Sequence, residues 1–184
     1  MKRSRRIKLT MLGASAIVLT ACEERVETQV YETVEQCLAN VEEHPDDCRR
    51  DFESARAAHV EAAPRYASRA DCEAEFGDGR CEAGPAGQQA EAGQGGSFFM
   101  PVMMGYMLGN ALGRTGVAAQ PLYRPLVNGT PGSFRTPGNV DVGSSVGRTS
   151  VRPAAVNAPV ANAGQAVSRG GFGARGAATG TAGG

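Results

Sequence analysis

Hydrophobic positions follow three patterns along the chain, and each predicts a different element. The first is continuous: Leu9 to Thr20 carries no charge over twelve residues. That is short of the roughly 20 apolar residues a membrane-crossing helix needs, and it fits the apolar region of a signal peptide. The second is periodic: Phe52, Ala55, His59 and Ala62 or Ala63 recur at helical spacing as one narrow apolar stripe. The third is the run SFFMPVMMGYMLGNALG at residues 97–113, the most apolar stretch beyond the leader, with glycine at 105, 109 and 113.

Start and stop signals turn the second pattern into a small helical unit over residues 31–82. Thr33 with Gln36, and Ser68 with Asp71, have the spacing of capping boxes, in which the hydroxyl accepts the N3 amide and the N3 side chain reaches back. A first helix is expected to run to about Glu43. His44-Pro45 breaks it, because the residue before proline avoids helical backbone while proline suits a first turn. Asp46 and Asp47 then sit where the positive end of a second helix favours anions. That helix is expected to reach Ala62 and stop at Pro64, and a third to span 69–76 and end at Gly77. Residues 31–41 also align without gaps to residues 66–76, a weak internal repeat with Tyr, Thr/Ser, Cys and Ala in register at a period of 35.

The rest of the chain lacks such signals. Residues 83–96 read as a flexible Gly/Ala/Gln linker. Prolines at 121, 125, 131, 137, 153 and 159 forbid a long helix in residues 114–184, and large apolar side chains there are too few to offset chain ordering. The expected architecture is therefore a signal peptide (1–21), an anchor and tether (22–30), a small mainly-α disulfide-stapled domain (31–82), the linker, the glycine-ridged apolar segment (97–113) and a disordered Gly/Ala/Pro/Arg tail (114–184).

Charge sharpens this division. The chain is formally neutral, yet residues 23–91 hold 18 Asp/Glu against 7 Arg, and residues 92–184 hold one Asp against 7 Arg. Both lysines, Lys2 and Lys8, lie in the leader. Beyond it there is no lysine for a Schiff base, a phosphate-cradling P-loop or a Ser-Lys dyad, which excludes those enzyme classes. Tryptophan is absent, so a broad stacking surface for sugars or bases is not expected. No G-x-S-x-G, H-E-x-x-H or dinucleotide fingerprint occurs, and no catalytic residue, cofactor or metal site is assigned. His44 reads as a turn residue and His59 as part of the apolar stripe.

The leader ends in Leu19-Thr20-Ala21-Cys22, which resembles a bacterial lipobox. The likeness implies cleavage between Ala21 and Cys22 and acylation of Cys22; stable anchoring takes more than one chain, each buried CH₂ adding roughly 0.8 kcal/mol. Glu23 stands where aspartate marks inner-membrane retention, so the outer membrane, facing the periplasm, is the expected address. Ser4-Arg5-Arg6 also resembles a twin-arginine export signal. In an oxidising compartment the remaining four cysteines, Cys37, Cys48, Cys72 and Cys81, read as two disulfides. Three pairings are open, and the repeat favours 37–48 and 72–81. Zinc prefers closer cysteine pairs.

For the apolar run, a helix from Pro101 to Leu112 would be about 18 Å long against a hydrocarbon core of about 30 Å. A membrane span is not expected. Gly105, Gly109 and Gly113 would make one smooth ridge of the G-x-x-x-G kind, suited to self-association or a partner; the other reading is a loop whose Met and Phe side chains lie on the stapled domain as ordinary core. Arg169-Gly-Gly-Phe172-Gly near the C-terminus is a second candidate contact.

The lipobox, Tyr66–Cys81, Ser97–Gly109, Gln120-Pro-Leu122 and Arg169–Gly173 occur in the order found in the YgiB-type bacterial lipoproteins, which the chain resembles over nearly its whole length. The resemblance implies an envelope lipoprotein of unknown function and no reaction. Members of that family are often encoded beside an ATP-grasp protein like glutathionylspermidine synthetase, so the resemblance also implies a polyamine or peptide connection. The functional expectation is a lipid-anchored, non-enzymatic accessory protein whose partners are the membrane and an unidentified envelope protein or a second copy, with no nucleic acid and no small-molecule substrate. Self-association through 97–113 is the alternative, and metal or polyamine binding the remote one.

Overall fold

The computed structural model describes residues 25–85, 98–108 and 119–157. Their architecture is α+β around antiparallel sheets, which corrects the mainly-α expectation. The main sheet has the order β10-β1-β4-β5, formed by Gly147–Val151, Val26–Tyr31, Gly105–Met107 and Gln120–Leu122. β1 is an interior strand, so the expected tether of residues 22–30 is mostly folded chain. Its alternation produces this: Val26, Thr28 and Val30 are buried on one face while Glu27 is exposed. Val30 pairs with Met107 and Tyr31 with Tyr106.

The glycine-ridged segment is sheet over the residues described. Phe99–Pro101 forms β3 against β2 (Cys81–Ala83), and Gly105–Met107 forms β4. Gly105 is not on a helical ridge but at a close strand crossing: a Cβ there would lie 2.9 Å from the Tyr31 carbonyl oxygen and 3.3 Å from Phe134. Gly109 and Gly113 lie outside the described residues. Both tyrosines of the internal repeat meet this segment, Tyr31 opposite Tyr106 and Tyr66 through paired backbone hydrogen bonds with Phe99. Residues 31–82 are thus completed by strands the sequence places elsewhere.

The helices follow their caps. Thr33 accepts from the Gln36 amide and opens α1 (Val34–Leu38), which ends five residues earlier than expected. Gln36 Oε1 accepts from the Glu32 amide, one residue before the cap. α2 (Pro45–Ala62) has His44 as its N-cap and buries Cys48, Asp51, Ala55, His59 and Ala62. α3 (Arg69–Phe76) is capped by Ser68, with Gly77 at φ +102° beyond it. Disulfides Cys37–Cys48 and Cys72–Cys81 tie α1 to α2 and α3 to β2. No helix among the described residues is long and apolar enough to cross a membrane.

Residues 119–157, expected to be disordered, supply much of the core. Asn128 and Gly129 both have positive φ and turn β6 (Leu126–Val127) into β7 (Thr130–Pro131), as a type I′ hairpin requires. β8 (Phe134–Arg135) pairs with β9 (Asp141–Gly143), and α4 (Pro153–Asn157) closes the fold. The prolines are accommodated rather than disruptive: Pro121 lies on the edge strand β5 and Pro153 opens α4. Phe134, Val142, Val151, Ala155 and Val156 cover one face of the main sheet against Val30, Met107 and Leu122. The other face carries Tyr31, Tyr106 and Leu108 against Cys37, Cys48 and Ala55. A third cluster joins Tyr66, Phe76, Phe98, Met100 and Tyr123 around Cys72 and Cys81.

Candidate functional site

Of the residues singled out for function by sequence, Cys22, Arg169 and Phe172 lie outside the described residues, and Gly105 is buried in the sheet. Two polar arrangements that the sequence did not show are built by the fold.

The first is a triad of two buried side chains, His59 and Tyr123, with the exposed carboxylate of Glu82. His59 Nδ1 lies 3.0 Å from the Tyr123 hydroxyl and Nε2 lies 3.1 Å from Glu82 Oε1. Charge complementarity assigns Nε2–H as donor to the carboxylate and Nδ1 as acceptor of the tyrosine proton. A Tyr-His-Glu array has the shape of a proton relay, but the tyrosine is completely buried and edge-on to Phe76, and burial pushes its hydroxyl far above the usual range. It ties α2 to β2 and to the end of β5. Tyr66 and Glu75 make a similar strut at 2.8 Å. Burial lowers the His59 pKa, with Glu82 opposing. Below about pH 6.5, the ordinary histidine pKa, the unfolded chain therefore binds a proton that the folded chain resists. Stability is full above that pH and falls as the pH drops through the window, by at most about 1.4 kcal/mol per unit. Chemical denaturation between pH 7.5 and 5.5 is expected to show this slope, and His59→Gln to flatten it.

The second arrangement is an open cleft of about 410 Å³ at the C-terminal end of β1, lined by Glu32, Arg80, Met103, Met104, Arg124 and Pro131. Arg124 is held from three sides: Nε donates to the Gly132 carbonyl at 3.0 Å, Nη1 lies 3.5 Å from Glu32 Oε1, and the guanidinium lies over the Phe134 ring at 4.7 Å. Arg80, beside the bridged Cys81, donates to the Met104 thioether at 3.1 Å, a weak acceptor. Two guanidinium forks, one carboxylate and two thioethers thus face one space. Arginine forks fit carboxylate and phosphate groups in bidentate geometry, and Glu32 can take an adjoining ammonium group.

Acidic residues gather elsewhere, at the turn into α2. Burial, then Glu42, Asp47 and Asp51, hold the Glu43 carboxyl above its usual range. Among the described residues no group of three or more His, Cys, Asp or Glu side chains is placed to hold a metal ion.

A family model described as "Protein of unknown function (DUF1190)" matches residues 25–183. A UPF0441 protein of Erwinia tasmaniensis is 37% identical over 181 residues, covering 92% of this chain and 81% of its own. UPF0441 proteins of Serratia proteamaculans (34% over 181 residues, 93% and 82%) and Sodalis glossinidius (35% over 178 residues, 93% and 82%) are similar over the same extent. No solved structure matches. The matched span takes in every described strand and helix, in keeping with the YgiB-type resemblance, and the chain belongs to the DUF1190 family of proteins of unknown function.

Proposed function

We propose that the chain is a lipid-anchored, non-enzymatic accessory protein of the bacterial envelope, which holds an acidic group of an envelope partner in the Arg80–Arg124 cleft. The cleft carries this reading: Arg124 is prepositioned by Phe134, Gly132 and Glu32, so little side-chain freedom is lost when a carboxylate takes its fork. The leader, the lipobox cysteine and four cysteines joined as two bridges support an oxidising, membrane-facing address. Lipid attachment at Cys22 is tested by labelled palmitate, which wild-type protein is expected to incorporate and Cys22→Ser protein is not; labelling of the variant would sink the anchor. For the cleft, crosslinking in intact envelopes is expected to give a heterologous adduct that Arg80→Gln/Arg124→Gln loses while remaining folded. An unchanged adduct would remove the cleft from the reading. Self-association through a glycine ridge is not favoured, because Phe98, Met100, Tyr106, Met107 and Leu108 are spent on the core and Gly105 lies in a paired strand.

A further inference from the structure

The Arg80–Arg124 cleft keeps a carboxylate of its own beside the guanidinium that an acidic ligand would use. Glu32 Oε1 lies 3.5 Å from Arg124 Nη1, and the fold fixes both ends of this pair. Glu32 directly follows β1, and its amide is held by Gln36 Oε1 at the start of α1. Arg124 stands just past β5, where the neighbouring Tyr123 exchanges two backbone hydrogen bonds with Arg135. A guanidinium has five N–H groups. Arg124 uses Nε on the Gly132 carbonyl and Nη1 on Glu32, and among the described residues its Nη2 makes no hydrogen bond. The end of the fork is therefore open while its orientation is set. Arg80 donates from Nη1 to the Met104 sulfur, an acceptor that a carboxylate oxygen readily displaces.

Glu32 decides which acidic group fits. A plain carboxylate on the open end of the Arg124 fork would lie beside Glu32, and like charges set side by side in a binding site are costly. A phosphate would meet the same repulsion with more charge. An ammonium next to the ligand's carboxylate reverses the sign: the carboxylate takes the fork and the ammonium takes Glu32. Because Glu32 and Arg124 are only 3.5 Å apart, the two ligand charges must be close neighbours, as on one carbon, rather than at opposite ends of a chain. We infer that the cleft recognises the head group of an α-amino acid, with Arg124 and Arg80 on the α-carboxylate and Glu32 on the α-ammonium. The inference rests on the reading that this cleft takes an acidic group, and it specifies that group. Met103 and Met104, rooted in separate core clusters, form an adaptable apolar wall for the ligand's side chain. The cleft, about 410 Å³ and open, has the size of a small-molecule site and lets that side chain lead outward. Two sources present such a head: a free amino acid, and a residue joined to a larger envelope molecule through its side chain.

The test is isothermal titration calorimetry of the entire chain after the leader, residues 23–184, with leucine, N-acetylleucine and leucinamide. Leucine is expected to bind about tenfold more tightly than N-acetylleucine, the difference being one charge-assisted contact to Glu32. Leucinamide, which lacks the carboxylate, is expected not to bind. Glu32→Gln keeps the shape of the side chain. It is expected to erase the preference for leucine and to leave N-acetylleucine bound at least as tightly, because the repulsion is gone. Nε-acetyllysine, whose side chain ends in an amide link, separates the sources. Binding at least as tight as leucine assigns the head to a larger envelope molecule, and weaker binding assigns it to a free amino acid; both outcomes support the head group. N-acetylleucine binding as tightly as leucine, or a leucine preference that survives Glu32→Gln, would overturn this inference and leave the carboxylate reading in place. Failure of every carboxylate ligand to bind would defeat both.

Discussion

Removing both disulfides is expected to unfold most of the domain at 37 °C. Cys37–Cys48 and Cys72–Cys81 close loops with sequence separations of 11 and 9. In the chain-entropy account each such loop contributes about 2.5 kcal/mol, so together they approach the 5–15 kcal/mol that is the whole stability of an ordinary domain. The cystines also sit inside two different cores, Cys37 and Cys48 with Tyr31 and Tyr106, Cys72 and Cys81 with Tyr66 and Tyr123. Loss therefore falls on both halves. Cys72→Ala/Cys81→Ala is expected to lower the melting temperature by about 10–15 °C, and adding Cys37→Ala/Cys48→Ala to leave little cooperative unfolding by circular dichroism. A cystine-free chain that melts as sharply and as high as wild type would show that the sheet stands without them.

Gly105→Ala is expected to cost about 2–3 kcal/mol, in the range of an overpacked core position. The added methyl would meet a backbone carbonyl, Tyr31 O, at 2.9 Å, and backbone in an interior strand cannot step aside as a flexible side chain can. The sign of the effect separates two structures. On a helical glycine ridge the same change would stabilise by about 1 kcal/mol, because alanine is the better helix former. Urea unfolding of the variant at neutral pH reads the difference directly, and an unchanged oligomeric state on gel filtration is expected alongside it.

Local signals were legible where they act within a few residues. Thr33, Ser68, Pro45, Pro64 and Gly77 mark helix ends, and the α2 stripe of Ala55, His59 and Ala62 is the face that is buried. The strands were not legible, because they are short and their partners are distant: Val26 pairs with Val151 across most of the chain. Two local strand signals nevertheless lie in the sequence. Val26, Thr28 and Val30 alternate with polar neighbours, and Asn128-Gly129 between short apolar pairs is a strong hairpin signature. The tail's prolines do exclude a long helix, and edge strands and first turns admit them; what overturns the disorder expectation is that its few large apolar side chains, Phe134, Val142 and Val151, join a core built with β1 and β4. The apolar run misled because its glycines recur every fourth residue, yet Gly105 serves a single close crossing. Cleft residues Glu32, Arg80 and Arg124 carry no motif. They come together only because β1, β2, β4 and the β6–β7 hairpin converge at one end of the sheet.

The central claim, that the Arg80–Arg124 cleft takes an acidic group, has a direct probe in its two methionines. Met103 and Met104 line the cleft, whereas Met107 is fully buried in the core. Methyl NMR of residues 23–184, titrated with N-acetylated dipeptides bearing a free carboxylate, is expected to shift the Met103 and Met104 methyls saturably and leave Met107 still. The amidated peptides, and the Arg124→Gln protein, are expected to give no such shift. Methyl signals that ignore the carboxylate, or that respond equally to the amide, would contradict the assignment of this cleft as the binding site.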